Sequence, residues 1–226
     1  MAVGKFLASQ LREPLGIVGG LILPRLFNRR NAALNDLTLE CLGLEPRDRV
    51  LDVGCGGGYL LRRMAHFVTD GLVAGVDLSP RMVSFCERRY RPLIQAGGLE
   101  VRCASAEDLP YPSAFFTKAC SVNAIFYLSE AGLAVSELWR VLADGGVLVI
   151  CFTSKKSLQK RGFAKHGLSL FEDDQVRDLM ESSGFREVRM VPGSDRHREF
   201  TCAVGRKQRY ESQFVLSNQA YFRPNP

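Results

Sequence analysis

Residues 52–58, Asp-Val-Gly-Cys-Gly-Gly-Gly, place glycines at every second position behind an acid, with one more between the last two. Glycine adopts positive φ without steric penalty and keeps a side chain out of the way, so a ligand can lie directly on the main chain. Four glycines in the five positions from 54 to 58 lose more backbone order than a simple turn would justify. A helical pattern starts directly behind them, and the free N–H groups at a helix start favour negative charge. The chemistry this predicts is the binding of an anionic, flat-lying ligand. A dinucleotide fingerprint, Gly-x-Gly-x-x-Gly from Gly54, would need glycine at 59, where Tyr59 stands. Asp77 falls 19 residues after Gly58, close to the spacing of an acid that accepts hydrogen bonds from both ribose hydroxyls in a strand-helix-strand unit.

These residues need strands and helices to hold them. Leu34, Leu37, Cys41 and Leu44 recur at helical spacing, and Pro46 and Asp48 predict a turn before the strand "VLDV". Leu60, Leu61, Met64, Ala65 and Val68 form a helical stripe, with Arg62 and Arg63 on the other side. "LVAGVD" is the next strand, and Ser79-Pro80 reads as N-cap and first residue of a helix that turns Met82, Val83, Cys86 and Tyr90 inward. "LEVRC" alternates with period two, and "KACSVNAI" is a further strand. Ser129 is placed to cap a helix carrying Ala134, Leu138 and Val141, and "DGG" predicts a turn. "VLVICF" is apolar without alternation, as in a strand buried on both faces. A helix over 172–183 stopped by Gly184 precedes "FREVRMV" and "FTCAVG", which suit an antiparallel pair at the sheet end. Five successive strand-helix units predict a parallel sheet covered by helices on both faces, with ligands at the carboxyl ends of its strands.

The 226 residues suffice for one domain, and 46% hydrophobic with 24% charged residues excludes a disordered or fibrous chain. Seven cysteines include no Cys-x-x-Cys and leave no complete disulfide framework, which fits a reduced, cytoplasmic setting. His66, His166 and His197 lack metal-ligand spacing, so no metal site is expected. The net charge of +6 divides as +2 over residues 1–49, −1 over 50–154 and +5 over 155–226, so the excess lies outside the glycine region. "PLGIVGGLILP" is too short for a membrane span and lacks the cleavage pattern of a signal peptide.

The pattern Asp52, Gly54, Gly56, Gly58 resembles the class I S-adenosylmethionine-dependent methyltransferases, and the likeness extends over about residues 45–205. It implies a Rossmann-like, doubly wound α/β sheet of seven strands, mostly parallel with an antiparallel last strand, behind N-terminal helices. It implies S-adenosyl-L-methionine as cofactor, with Asp52 helping to hold its amino group and Gly54, Gly56 and Gly58 passing under its methionine part. Asp77 in "VAGVDLSPRMV" would meet the ribose, Leu78 after it would also touch the cofactor, and Ser105 and Ala106 in "CASAEDLPYP" would meet the adenine edge. The family usually has Phe-Asp where Phe116-Thr117 stands, so Thr117 is expected to weaken a contact at the edge of the site. "FFTKACSVNAIFYLSE", "QLREPLGIVGG" and "FAKHGLSLF" resemble bacterial small-molecule methyltransferases akin to the ubiquinone and menaquinone biosynthesis enzymes.

On that reading the domain occupies residues 46–206, with a helical lid segment over 1–45 and a tail over 207–226. The apolar N-terminal stretch is expected to cover the cofactor, with attachment to a membrane surface as the rival role. The partner is a small-molecule methyl acceptor. Asn123, also a candidate for cofactor contact, Tyr127 and Tyr59 are candidates for the acceptor pocket, and Lys165 and His166 sit in a basic segment that could cover it. If the acceptor must lose a proton, one of Asn123, Tyr127 or His166 is the candidate catalytic group. A nucleic-acid substrate is disfavoured, because "NAIF" at 123–126 lacks the Asn-Pro-Pro-aromatic motif and no Pro-Cys occurs. A methyltransferase acting at a lipid surface and a cofactor-binding chain without turnover stay open.

Overall fold

The computed structural model describes residues 31–160 and 169–208. The stretch before residue 31, Lys165, His166 and the tail after 208 lie outside the described residues. Seven runs become strands: β1 (Arg49–Val53), β2 (Leu72–Asp77), β3 (Leu99–Cys103), β4 (Phe116–Val122), β5 (Leu142–Thr153), β6 (Phe185–Asp195) and β7 (Arg198–Lys207). They form one sheet in the order β3-β2-β1-β4-β5-β7-β6. The pairs from β3 to β5 are parallel, whereas β7 runs antiparallel to both β5 and β6. This is the expected doubly wound arrangement, with the direction reversal confined to the last strand.

Helices cover both faces. α1 (Ala32–Leu42), α2 (Tyr59–Met64) and α3 (Pro80–Arg89) lie on one side, α4 (Arg91–Gln95) follows α3, and α5 (Ala131–Val141) and α7 (Asp173–Ser182) lie on the other, with α6 (Lys155–Lys160) after β5. β5 shows why its sequence does not alternate. Leu148, Ile150 and Phe152 join the core under α5 and α7, while Val147, Val149 and Cys151 join the core under α1 and α2. Both faces are apolar, so period two leaves no polarity trace. Gly75 in β2 has a packing reason: a Cβ there would lie 2.7 Å from Leu61 of α2 and 3.0 Å from the Cys55 sulfur.

Several local expectations shift. α1 buries Leu34, Asn35, Thr38, Leu39 and Leu42, so the stripe passes beside Leu37 and Cys41, which are half-buried. This helix packs on the sheet. Ser79 occupies the N-cap position of α3 without a side-chain capping bond. Ser129 does not cap α5; its hydroxyl donates to Glu107 (2.8 Å), and Glu130 takes the cap position. "DGG" is not a free turn but an irregular stretch inside β5, where the register jumps from Phe116↔Leu142 to Lys118↔Val147 and Gly145 takes φ 78°. β4 ends at Val122, before the "NAI" that the sequence pattern includes, because Asn123 turns to φ 54° and a 3₁₀ turn follows over Ile125–Tyr127. At the far end, Lys207 seals β7 against α5, its ammonium 3.8 Å from the Trp139 ring centroid and donating to the Trp139 and Leu142 carbonyls.

Candidate functional site

The glycine turn sits where β1 ends. Gly54, Gly56 and Gly58 all have positive φ, at 78°, 51° and 69°. Each has a different reason to lack a side chain. A Cβ on Gly54 would lie 2.4 Å from the Ala124 Cβ, and one on Gly58 would lie 2.6 Å from the Tyr90 ring and 2.8 Å from the Cys86 sulfur. A Cβ on Gly56 would meet nothing within 4 Å. At Gly56, then, the protein leaves open space beside bare main chain, where packing asks for nothing.

Two acids flank this turn in unlike surroundings. Asp52 is 3% exposed, and the donor seen on its carboxylate is the Cys120 thiol at 3.7 Å, a weak one. Burial pushes its carboxyl up to about 7, with the Cys120 bond opposing and the nearby Asp77 charge adding to the rise. A buried carboxylate so poorly satisfied suits a cation brought by a ligand. Asp77, at the end of β2, accepts the Gly56 amide on Oδ2 (2.8 Å) and the Ser79 amide on Oδ1 (2.9 Å). Burial raises its carboxyl and those two amides pull it back. Each carboxylate oxygen can accept a further bond, so Asp77 both clasps the glycine turn and keeps acceptor capacity.

The other loops at the carboxyl edge are laced to this pair. The Gly54 and Cys55 amides donate to the Val76 carbonyl, and the Ala104 amide donates to the Asp77 carbonyl, bringing the Ser105–Ala106 segment to the same edge. Ser105 is half-buried with its hydroxyl 3.4 Å from Glu107 Oε2, and Ala106 is buried. Glu107 also accepts the Glu130 amide (2.9 Å) and the Ser129 hydroxyl, bonds that hold its carboxyl below the ordinary range. Leu78 is 70% exposed, an apolar side chain left uncovered beside Asp77. Tyr59 opens α2 directly after the turn, under the Arg63 guanidinium. Tyr127 lies half-buried in the 3₁₀ turn.

Asn123 is at this edge, but its side chain serves the scaffold. Its Oδ1 accepts the Thr153 amide (2.9 Å) and hydroxyl (3.1 Å), and its Nδ2 donates to Asn31 (3.3 Å), whose Oδ1 also accepts Arg198. Thr117 is not at the site at all. It starts β4 at the amino edge, where its hydroxyl donates to Asp48 (2.7 Å) and accepts the Arg49 amide. The linear motif places it next to a strand but does not say which end of that strand faces the ligand. Two contributors went unrecognised as such: Cys86, whose thiol reaches the Gly56 carbonyl (3.2 Å), and Tyr90, whose hydroxyl lies 3.5 Å from the Gly57 carbonyl. Both had been read as inward-facing residues of α3, and their spacing of four does put them on one face. That face meets the turn.

A protein-family model described as a methyltransferase domain matches residues 51–150. An uncharacterized methyltransferase, YdaC of Bacillus subtilis, is 29% identical over 137 residues, covering 61% of this chain and 74% of that protein. The ubiquinone/menaquinone biosynthesis C-methyltransferase UbiE of Vibrio campbellii is 30% identical over 122 residues, 54% of this chain. The chain spans only about half (47%) of that relative's length. Among solved structures, a SAM dependent methyltransferase from Aquifex aeolicus superposes with a TM-score of 0.69 at 21% identity, covering 81% of this chain and 96% of that one, a likeness of fold. Sheet order, glycine turn and family match agree: residues 51–150 form a methyltransferase domain of the S-adenosylmethionine-dependent kind.

Proposed function

We propose that this chain transfers the methyl group of S-adenosylmethionine to a small-molecule acceptor in a reducing, cytoplasmic setting. The observation that carries the reading is Gly56: left-handed, open on its side-chain face and tied by its amide to Asp77. The residues present suit this cofactor. Asp52 offers a buried, thinly satisfied carboxylate for the ammonium group, and Asp77 has acceptor capacity left for the ribose hydroxyls. Leu78 and Ala106 supply apolar surface for the base, with Ser105 beside them. The cofactor supplies a methyl group already activated on sulfonium sulfur, so the protein's work is alignment and exclusion of water.

The small-molecule acceptor is supported by the likeness to the UbiE relative, a C-methyltransferase of ubiquinone and menaquinone biosynthesis. The free state of all seven cysteines supports the reducing compartment. Asn123 holds the ends of β4 and β5 together, which leaves Tyr127 and Tyr59, with His166 beyond the described residues, as candidates to face the acceptor. Incubation with methyl-labelled S-adenosylmethionine and a panel of phenols, quinols, amines and thiols tests the reading. Label on one acceptor class is the expected result. Label entering only nucleic acid or protein, or none entering any acceptor while the cofactor binds, would overturn it.

A further inference from the structure

The amides of the glycine turn are almost all committed within the protein. Gly54 and Cys55 donate to Val76, Gly58 donates to the Cys55 carbonyl, and Gly56 donates to Asp77. Among the described residues no acceptor is seen for the Gly57 amide. The direction of that amide is set by the other end of its own peptide. A trans peptide is planar with C=O and N–H opposed, and no cis bond occurs here. The Gly56 carbonyl is held inward by the Cys86 thiol at 3.2 Å, so the Gly57 N–H is aimed the opposite way, out of the α3 side of the turn. The next carbonyl, Gly57, is met by the Tyr90 hydroxyl at 3.5 Å. Glycine at 58 is what lets both α3 side chains come so near, since a Cβ there would collide with each.

We infer that Cys86 and Tyr90 are positioning residues for the cofactor: Cys86, gripping the Gly56 carbonyl, aims the Gly57 N–H at the cofactor's amino-acid carboxylate, and Tyr90, meeting the Gly57 carbonyl, steadies the peptide that follows it. The inference rests on the cofactor reading above. Among the described residues the Cys86 thiol is the side-chain group seen on the peptide that carries this amide, and the residues flanking it are both glycines, whose own freedom fixes less. Asp52, buried beside the turn and met among the described residues by a thiol, is the group placed for the ammonium of the same amino-acid end. The two α3 side chains therefore act on the methionine half of the ligand and not on its nucleoside half.

Calorimetry with two ligands separates the halves. S-adenosylhomocysteine carries the carboxylate; 5′-methylthioadenosine keeps nucleoside and sulfur but lacks it. For Cys86→Ala we expect S-adenosylhomocysteine to bind about three- to tenfold more weakly, the worth of one oriented hydrogen bond, with methylthioadenosine unchanged. Cys86→Ser, which keeps a donor, should restore most of the loss. Tyr90→Phe keeps the ring against Gly58 and should show a smaller loss of the same kind, which protects the test should Cys86→Ala fold poorly. Equal weakening of both ligands, or Cys86→Ala and Tyr90→Phe binding S-adenosylhomocysteine like the parent, would overturn the inference. A parent that binds neither ligand would overturn the cofactor reading and this inference with it.

Discussion

Asp48 and Asp52 stand four residues apart at opposite ends of β1, and their surroundings could hardly differ more. At the amino edge Asp48 accepts the Lys118 ammonium (2.8 Å), the Thr117 hydroxyl and the Glu45 amide, and Lys118 also donates to the Gly43 carbonyl. Burial alone would raise the Asp48 carboxyl, but those bonds together hold it below the ordinary carboxylate range. At the carboxyl edge the donor seen on Asp52 among the described residues is a thiol, and burial prevails. The amino edge also opens a groove of about 530 Å³, lined by Thr117, Lys118, Glu187, Arg189 and Arg206 among others. The groove thus lies at the opposite end of the sheet from the glycine turn, where a thinly satisfied carboxylate and a glycine that packing does not require come together.

Changes at the two edges should separate cleanly on the scale of cofactor affinity. Gly56→Val should do most: a side chain at φ 51° is strained by about 1–2 kcal/mol, and it fills the space reserved for the ligand. Calorimetry should find binding lost by more than about a hundredfold. Asp77→Ala comes next, at about thirty- to a hundredfold, since it removes charge-assisted acceptors worth about 2–3 kcal/mol together with the clasp on Gly56. Circular dichroism should show that variant folded; parent-like affinity would remove Asp77 from the site.

Asp52→Asn should weaken binding by about tenfold at pH 8. With a folded value near 7 against an unfolded value near 4, the ligand-free protein holds this proton more tightly than the unfolded chain. Its contribution to stability therefore falls as pH rises through that window, and the variant should melt higher than the parent at pH 8 without ligand. Parent affinity for cofactor should correspondingly fall as pH drops from 8 to 6, where the carboxylate is lost. A flat profile would break the contrast between the two acids. Lys118→Met should hardly touch cofactor affinity, yet it strands Asp48 and costs about 2–3 kcal/mol of stability. That stabilisation is present above about pH 4 and fades below it, because the Asp48 value is depressed. A large drop in affinity in this variant would show the edges to be coupled.

Strands and the glycine turn were legible because their signals are local. Apolar runs ended by glycine or acid fall within a few residues, and Asp77 meets the turn of Gly54, Gly56 and Gly58 by accepting the Gly56 amide. What was not legible depends on partners far along the chain. Thr117 bonds to Asp48, 69 residues away, and Glu107 bridges to Ser129 and Glu130. Asn123 turns left-handed because its side chain ties Thr153 and Asn31 together. The stripe on α1 moved by one position because the sheet accepts Thr38, whose hydroxyl satisfies itself on the Leu34 carbonyl. Cys86 and Tyr90 look like any buried helix face until the turn they touch is in view.

The insertion of β7 between β5 and β6 has a consequence for synthesis. A chain leaving the ribosome has β6 complete at Asp195 while the strand that must separate it from β5 is still unmade. Until Lys207 emerges, β5 presents a bare edge with its apolar residues Val147 to Phe152 available to any strand nearby. A message truncated between those points would yield a protein missing an interior stave rather than a trimmed border, and the product would be a substrate for chaperones and proteases.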